Sequence, residues 1–278
     1  MLSAMQLVLS VFPGVDLFGR GFEAEGFCVV RGPDKIWGGD IRVFHPLRGK
    51  FDGIIGGSPC QDFSHARRSP PTGEGLELLR EFVRVVDEAQ SIWFVLENVP
   101  TVPDIAVAGY SIQRLDLNAR ECGSKQKRLR HFQYGCRDSS ILVPARVVVP
   151  ARCVTRDGES RIALATEGRK PNRRGWSDFC ELQGLPRAFT LPGMTLAARY
   201  RAVGNGVHVA VARTIARAIL DAQARTDPVR VCVCGCGRIT QGNQRAALPA
   251  CRKRMQRRRD RAGRGNADAV TVTASRSP

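Results

Sequence analysis

Short β-rich runs alternate with helical patterns along the first half of the chain. Leu79, Phe82 and Val86 recur at helical spacing within 75–90, while Glu and Arg take the opposite face. Strands divided by amphipathic helices predict an α/β fold with a parallel sheet, whose ligands gather at the carboxyl ends of the strands. The predicted strands are residues 5–12, 27–30, 51–57, 91–99 and 130–135.

The second half is less regular. Pro, Arg and Gly are scattered through 137–175, which predicts a small basic insert of loops and β character. Within 199–220, a Gly-Asn-Gly loop at 204–206 is expected to lead into an apolar helix. Beyond residue 227 three closely spaced cysteines precede an Arg-rich stretch, and the last dozen residues are predicted to be disordered.

The net charge, the apolar runs and the cysteine count limit the binding partners and the cellular compartment that we expect. A net charge of +17 suits a polyanion such as nucleic acid, although a membrane surface would also attract it. No apolar run approaches the ~20 residues of a spanning helix, and the start lacks a signal-peptide pattern, so we expect a cytoplasmic protein without a membrane partner. Ten cysteines in a reducing compartment favour buried thiols, a nucleophile or a metal site over disulfides.

Three separate stretches of the sequence carry candidate catalytic or ligand-binding residues. Cys60 lies in "GGSPCQDFS" after a predicted strand; burial is the commonest fate of a cysteine, but the polar neighbours favour an active site. Glu97 ends an apolar strand, where it is either a salt-bridged strand end or an acid whose pKa burial raises. Arg128 and Arg130 would share one face of a strand, either to hold an anion or as a solvated basic edge.

These residues carry a family resemblance. The blocks "GGSPCQDFS", "ENV", "QKRLR", "ELQGLP" and "YRAVGNGV" stand in the same order as the signature blocks of DNA (cytosine-5)-methyltransferases, over residues 7 to about 222. The resemblance implies a Rossmann-like, S-adenosylmethionine (SAM)-dependent methyltransferase sheet. It carries a small inserted target-recognition region and is followed by a basic, Cys-containing C-terminal tail.

What the resemblance implies about catalysis is covalent chemistry on a flipped-out cytosine. Cys60 would add to carbon 6 and activate carbon 5, and Glu97 would protonate or hydrogen-bond N3. Arg130, with Arg128 nearby, would bind the cytosine carbonyl or a flanking phosphate and favour the thiolate.

The cofactor site is expected at the first strand, and the chain departs from the family pattern there. Asp16 stands where a second glycine is common, and the short interval from Asp34 to Asp40 lacks a helix that the family usually has. The residues that the resemblance assigns to SAM are Phe12, Gly14, Asp34, Asp40, Asn205 and Val207.

The domain plan follows from the same resemblance. We expect a catalytic SAM-binding domain at 1–136, completed by 176–222, and a compact target-recognition insert at 137–175. A basic tail at 228–264 and a disordered end at 265–278 follow. The arginines expected to contact phosphates or guanine edges are Arg146, Arg152, Arg156, Arg161, Arg169, Arg173 and Arg174.

The tail offers four thiols, enough for a tetrahedral zinc site: Cys232, Cys234, Cys236 and Cys251. It resembles small zinc-ribbon-like modules that end in a Cys followed by an Arg-rich helix, although the Cys-x-Cys-x-Cys spacing is tighter than usual. A basic arm without metal, binding DNA nonspecifically, is the alternative.

The function expected from these residues is transfer of a methyl group from SAM to carbon 5 of cytosine in double-stranded DNA, by a monomer of bacterial or phage restriction-modification type. Two alternatives stay open. One is a cytosine-5 methyltransferase acting on structured RNA, and the other is a degenerate relative that only binds DNA.

Overall fold

The computed structural model describes residues 5–64, 70–147, 162–225, 232–234, 238–240, 244–263 and 272. They form one six-stranded sheet flanked by helices. The strands are β1 (Leu7–Val11), β2 (Cys28–Arg31), β3 (Gly53–Gly57), β4 (Trp93–Asn98), β5 (Ser111–Asn118) and β6 (Leu129–Cys136).

The strand order is β2-β1-β3-β4-β6-β5. The first four strands are parallel, and β6 runs antiparallel to both β4 and β5. All five predicted strands are present. β5 was not predicted, because "SIQRLDLN" intersperses polar residues with only three apolar ones and is half-exposed over much of its length.

The helices cover both faces of the sheet. They are α1 (Leu17–Glu23), α2 (Glu74–Ala89), α3 (Trp176–Leu182), α4 (Leu196–Asn205), α5 (Val209–Ala224) and α6 (Pro249–Gly263). α1 and α5 pack together over one face with Val8, Ile55 and Phe132. On the other face the apolar stripe of α2 packs against strand residues such as Ile54, which confirms the helix predicted within 75–90.

α3 and α4 build a third apolar cluster beside α1. Phe179, Tyr200 and Val203 are buried in it, and the rings of Phe179 and Tyr200 lie 4.5 Å apart. Because α4 leads directly into α5, this cluster fixes the last part of the fold against Val15 and Leu17, in the loop after β1 and the start of α1.

The Gly-Asn-Gly loop expected at 204–206 is largely helix. Gly204 and Asn205 form the last turn of α4, and Gly206 caps it with a φ of −64°, so none of the three needs a left-handed backbone. A Cβ at Gly204 would lie 2.7 Å from the backbone nitrogen of Ala165, so glycine permits close packing here.

Two further expectations concern the insert and membrane-spanning helices. The described parts of the insert, 137–147 and 162–175, contain no strand, so the β character expected there is absent from them. Within the part of the chain that the structure describes, none of the helices combines the length and apolar character needed to cross a bilayer.

Candidate active site at the carboxyl ends of the parallel strands

A cavity of about 680 Å³ opens at the carboxyl ends of the parallel strands. This volume lies within the range of small-molecule sites. The loops after β1, β2, β3 and β4 line it together with α4. It brings together nine of the residues predicted from sequence: Phe12, Gly14, Asp34, Asp40, Cys60, Glu97, Arg130, Asn205 and Val207.

Two glycines at the end of β3 make room for the cavity wall. A Cβ at Gly56 would lie 2.8 Å from Phe82 and from Val11, and one at Gly57 would lie 3.0 Å from Oε2 of Glu97. The pair therefore lets the strand that leads to Cys60 pass close to its neighbours.

Cys60 immediately precedes a short helical turn at Gln61–Phe63. The backbone angles of Cys60 are φ −94° and ψ 2°. This is the sparsely populated bridge region where many active-site residues lie. The thiol is half-buried and faces the cavity. Burial raises its pKa, as does the nearby Glu97 carboxylate, whereas Arg130 and Arg128 act in the opposite direction.

Glu97 is buried near the end of β4, and its Oε1 lies 2.9 Å from Nε of Arg130 on β6. Burial raises the pKa of this carboxyl despite the two arginines, which lower it. A raised pKa favours the protonated carboxyl, and a protonated carboxyl that lines a cavity can donate a hydrogen bond or a proton.

Arg128 differs from Arg130 in its surroundings. Only 6% of Arg128 is exposed, and its guanidinium donates to the carbonyl oxygens of Gly204 at 2.9 Å and Gly206 at 3.2 Å. Burial lowers the pKa of this guanidinium. Arg128 thus fastens the start of β6 to the end of α4, and it acts on Cys60 and Glu97 through its charge.

Two glutamines extend this connection, and sequence reasoning assigned them no role. Nε2 of Gln126 donates to the carbonyl of Leu182 at 2.8 Å and to Oε1 of Gln183 at 2.7 Å. Gln183 in turn donates to the carbonyl of Val203 at 2.6 Å. The "QKRLR" and "LQG" blocks therefore hold one another through buried amides, a role that their polar, loop-like sequence did not reveal.

The loop after β1 is held in an unusual backbone conformation. Phe12, Gly14 and Asp16 have φ values of 53°, 56° and 52°, in the left-handed region that non-glycine residues rarely adopt. Such residues tend to concentrate at functional sites. The loop lines the cavity through Phe12 to Val15.

Asp16 explains the departure from the expected glycine. Its carboxylate is buried beneath the loop, where it accepts from Ser10 Oγ and from the Gly19 amide at 2.9 Å each and lies 3.0 Å from Nε of Arg31. It caps the start of α1. A side chain that bonds its own backbone tolerates the left-handed region better than most.

Asp34 ties two loops together. Its Oδ2 accepts from the Gly14 amide at 2.8 Å, and its Oδ1 accepts from the Ile36 amide at 2.8 Å. It therefore orders the glycine of the first loop as well as facing the cavity.

Asp40 begins a second short turn, accepting from the Arg42 amide at 3.0 Å. The segment 35–43 consists of two such turns, which take the place of the missing helix.

Three residues that sequence reasoning left without a role also line the cavity. Asn98, next to Glu97, donates to the carbonyl and hydroxyl oxygens of Ser58 at 3.0 and 2.9 Å, so two hydrogen bonds anchor Ser58 in the loop that leads to Cys60. Arg201 faces the cavity from the outer part of α4. Only the structure could reveal it, because arginines are common in this chain.

Of the four described insert arginines that were expected to contact phosphates or guanine edges, Arg146 and Arg174 form ion pairs within the protein, and Arg169 and Arg173 are exposed. Arg146 pairs with Glu121 at 2.6 Å, and Arg174 pairs with Glu167 at 2.9 Å. Nη1 of Arg173 lies 3.5 Å from the carbonyl of Lys170. Arg169 is exposed, and Arg152, Arg156 and Arg161 lie outside the described residues.

The tail brings three of its four cysteines together. Cys232, Cys234 and Cys251 are buried, and their sulfur atoms lie within 4.8 Å of one another. Cys236 lies outside the described residues.

Comparisons with known proteins show which proteins the chain is similar to. Residues 34–169 match the family model of the C-5 cytosine-specific DNA methylases. The chain is 29% identical over 171 residues to the type II methyltransferase M.HgiDI of Herpetosiphon aurantiacus, covering 50% of this chain and 55% of the relative. It is 31% identical over 169 residues to M.HindV of Haemophilus influenzae, covering 49% and 55%.

Among solved structures, Entamoeba histolytica methyltransferase EhMeth aligns with a TM-score of 0.55 and 12% identity, over 79% of this chain and 99% of that one. This likeness shows the fold and confirms the Rossmann-like methyltransferase sheet expected from the sequence. The chain spans about half the length of the curated relatives it matches.

Proposed function

The chain belongs to the DNA cytosine-5 methyltransferase family, and we propose that it transfers a methyl group from SAM to carbon 5 of cytosine in double-stranded DNA. The observation that carries the proposal is the convergence of Cys60, Glu97 and Arg130 on one cavity, whose other wall is the loop after β1. A thiol, a buried acid and a cation are the groups that activation of cytosine requires.

Cys60 is the nucleophile of this proposal. Its thiolate adds to carbon 6 of the cytosine, so that a bond from sulfur to carbon forms and the electron pair of the 5,6 double bond becomes available at carbon 5. Carbon 5 then takes the methyl group as the bond from methyl carbon to sulfonium sulfur breaks, with S-adenosylhomocysteine as the neutral leaving group. Loss of the carbon 5 proton to solvent re-forms the 5,6 double bond, and the bond from sulfur to carbon 6 breaks to free Cys60 as a thiolate.

Glu97 and Arg130 supply the electrostatic part. The protonated carboxyl of Glu97, favoured by its burial, hydrogen-bonds or protonates N3 and offsets the charge pushed into the ring. Arg130, on the same side of the cavity, pairs with Glu97 and lowers the pKa of Cys60. Arg128 holds the end of α4 in place and adds its charge from behind.

The residues around the first loop fit SAM. When bound, the cofactor supplies an electrophilic methyl group on a sulfonium sulfur. Asn205 and Val207, at the α4–α5 junction, close the cavity opposite Phe12 and Gly14, and Asp34 and Asp40 offer carboxylates to hydroxyl and amino groups. The backbone at Gly14 carries no side chain that would block a close approach.

The target base must leave the duplex, because carbon 6 is inaccessible within a stack. We assign contacts with the DNA to the insert at 137–175 and to the overall positive charge, and we expect a monomer. Zinc in the C-terminal tail completes the proposed cofactors, and methyl transfer does not pass through it.

One experiment separates this function from its alternatives. The full chain is incubated with labelled SAM and either duplex DNA or structured RNA, and 5-methylcytosine is mapped by bisulfite sequencing. Label in DNA supports the proposal; label in RNA alone, or in neither, overturns it in favour of an RNA enzyme or a DNA-binding relative.

Cys60→Ser tests the mechanism in the same assay. This variant should lose transfer while still binding SAM, measured by calorimetry, because the thiol does not hold the loop after β1. Cys28→Ser, at an exposed cysteine outside the cavity, is the matched control and should stay active. Substantial transfer by Cys60→Ser would exclude the covalent route.

A further inference from the structure

We propose that Cys232, Cys234 and Cys251 bind a structural zinc ion, and that this centre holds the C-terminal tail against the β5–β6 side of the sheet. The inference goes beyond methyl transfer and does not depend on it. Its first support is the geometry: three buried sulfur atoms lie within 4.8 Å of one another, although Cys251 follows Cys234 by 17 positions along the sequence.

Thiolates are the ligands that zinc prefers in structural sites. The backbone nitrogen of Ala247 lies 3.3 Å from Sγ of Cys232 and donates a hydrogen bond to it. Cys251 stands in the first turn of α6, which positions its thiol beside the other two.

In the part of the tail that the structure describes, the apolar cluster is small. Around the three cysteines it adds Ala246, with Ala247 and Met255 packed partly against it. α6 itself is dominated by Arg and Lys. Small modules with little apolar surface are commonly held by a metal or by disulfides, and none of these three cysteines is part of a disulfide bond.

The same residues place the tail on the catalytic domain. Arg254 lies one helical turn after Cys251, and its Nη1 is 3.0 Å from Oδ2 of Asp116 on β5. The other carboxylate oxygen of Asp116 lies 2.8 Å from Nδ1 of the buried His131 on β6. An ion that fixes Cys251 therefore fixes the cation that contacts the sheet.

A second ion pair joins the cysteine loop to the same side. Arg238, four residues after Cys234, pairs with Glu121, which also pairs with Arg146. The isolated bridge between Ile105 and Val272 adds a backbone contact farther along the chain, with the Ala106 amide donating to the Val272 carbonyl at 2.7 Å. The tail is thus a layer of the fold and not a free arm.

Binding is coupled to proton release. Each thiol that becomes a ligand loses its proton to solvent as the sulfur–zinc bond forms, and no electron transfer is involved. Metal content should therefore fall in acid and under a strong chelator, and Zn²⁺ should restore it.

The test uses the full chain, purified under reducing conditions, with its zinc measured by mass spectrometry. We expect about one zinc per chain. Cys251→Ser should lose the metal, and Cys28→Ser, at an exposed cysteine far from the tail, should keep it. Three outcomes would overturn the site. One is a metal-free chain with reduced thiols that also fails to bind added Zn²⁺. The others are an unchanged zinc content in Cys251→Ser and the recovery of two of the three thiols as a disulfide.

Hydrogen exchange tests the docking separately. Chelation should raise the exchange rate of α6 and of β5 amides in the wild-type chain, and Zn²⁺ should reverse it. Asp116→Asn and Arg254→Gln remove the ion pair from either side; both should retain zinc and show faster exchange in α6. If α6 keeps its protection in both variants and after chelation, the tail is not held by this centre. Because zinc content and exchange are measured without substrate, failure here is distinct from failure of methyl transfer.

Discussion

Gly57 and Glu97 lie directly opposite each other where β3 pairs with β4, and a Cβ on residue 57 would come 3.0 Å from Oε2 of Glu97. The absence of a side chain at one residue thus shapes the position of the acid at the other. The strand that leads to Cys60 and the strand that carries Glu97 therefore fit closely against each other at this pair.

Gly57→Ala should therefore displace the carboxylate and lower kcat roughly 10- to 100-fold, because small misplacements of a catalytic group are costly. Gly175→Ala is the matched control, since its Cβ would meet only an ordinary contact at 3.5 Å with Asp178. Steady-state kinetics measure both. Equal activity of the two variants would contradict the steric account.

Glu97→Gln should lower the pKa of Cys60. At pH values where Glu97 is ionised, its carboxylate is, after burial, the group that most raises this pKa, and removing its charge leaves the lowering effect of Arg130. The fraction of thiolate at a given pH above neutral should rise, seen as faster alkylation of Cys60 by iodoacetamide in a peptide-resolved pH series.

The opposite change provides the control. Arg130→Met should raise the pKa of Cys60 and slow its alkylation at the same pH. Methyl transfer should fall in both variants, because both take part in charge stabilisation. A higher Cys60 pKa in Glu97→Gln than in the wild type would be inconsistent with the proposed coupling.

Arg128 and Arg130 should separate stability from catalysis. Arg128→Lys leaves carbonyls at the end of α4 without their fork-shaped donor and should cost about 1–3 kcal/mol of unfolding free energy. Arg130→Lys should unfold near the wild-type temperature but lose kcat. Thermal unfolding and single-turnover rates measure the two effects, and the reverse pattern would exchange the proposed roles.

Asp16→Gly restores the residue common in the family, yet it should destabilise this chain. The backbone strain at φ 52° is relieved, but the cap of α1 and the bonds to Ser10 and Gly19 are lost, at about 1 kcal/mol for the cap alone. The KM for SAM should rise as the loop loosens. Asp16→Asn keeps the hydrogen-bonding shape and should lie between; a more stable Asp16→Gly would refute this role.

Sequence patterns predicted the parallel strands because these are short, apolar and bounded by glycine or polar residues. β5 escaped prediction because pairing with β6, a nonlocal effect, stabilises it. The helical turn at Gly204 and Asn205 escaped for a similar reason: both residues disfavour helix locally, and the donors that satisfy its end come from Arg128 and Gln183 elsewhere in the chain.

The residues that line the cavity were more predictable than the buried residues that hold the surrounding loops and helix ends in place. Cys60, Glu97 and Arg130 meet in one cavity as the motif order suggested. The buried contacts of Arg128, Gln126 and Asp16 could not be deduced, because a polar residue in a motif looks the same whether it faces a ligand or a neighbouring carbonyl. Only the folded arrangement distinguishes the two.

The position of Arg128 at the end of α4 has an electrostatic consequence. The last carbonyls of a helix carry the negative end of its macrodipole, about half an elementary charge. Arg128 donates to three of the carbonyls that end α4, at Gly204, Asn205 and Gly206. Its positive charge is therefore partly offset by the end of the helix. Of the two arginines, Arg130 is the one whose field reaches the cavity with little compensation from the helix.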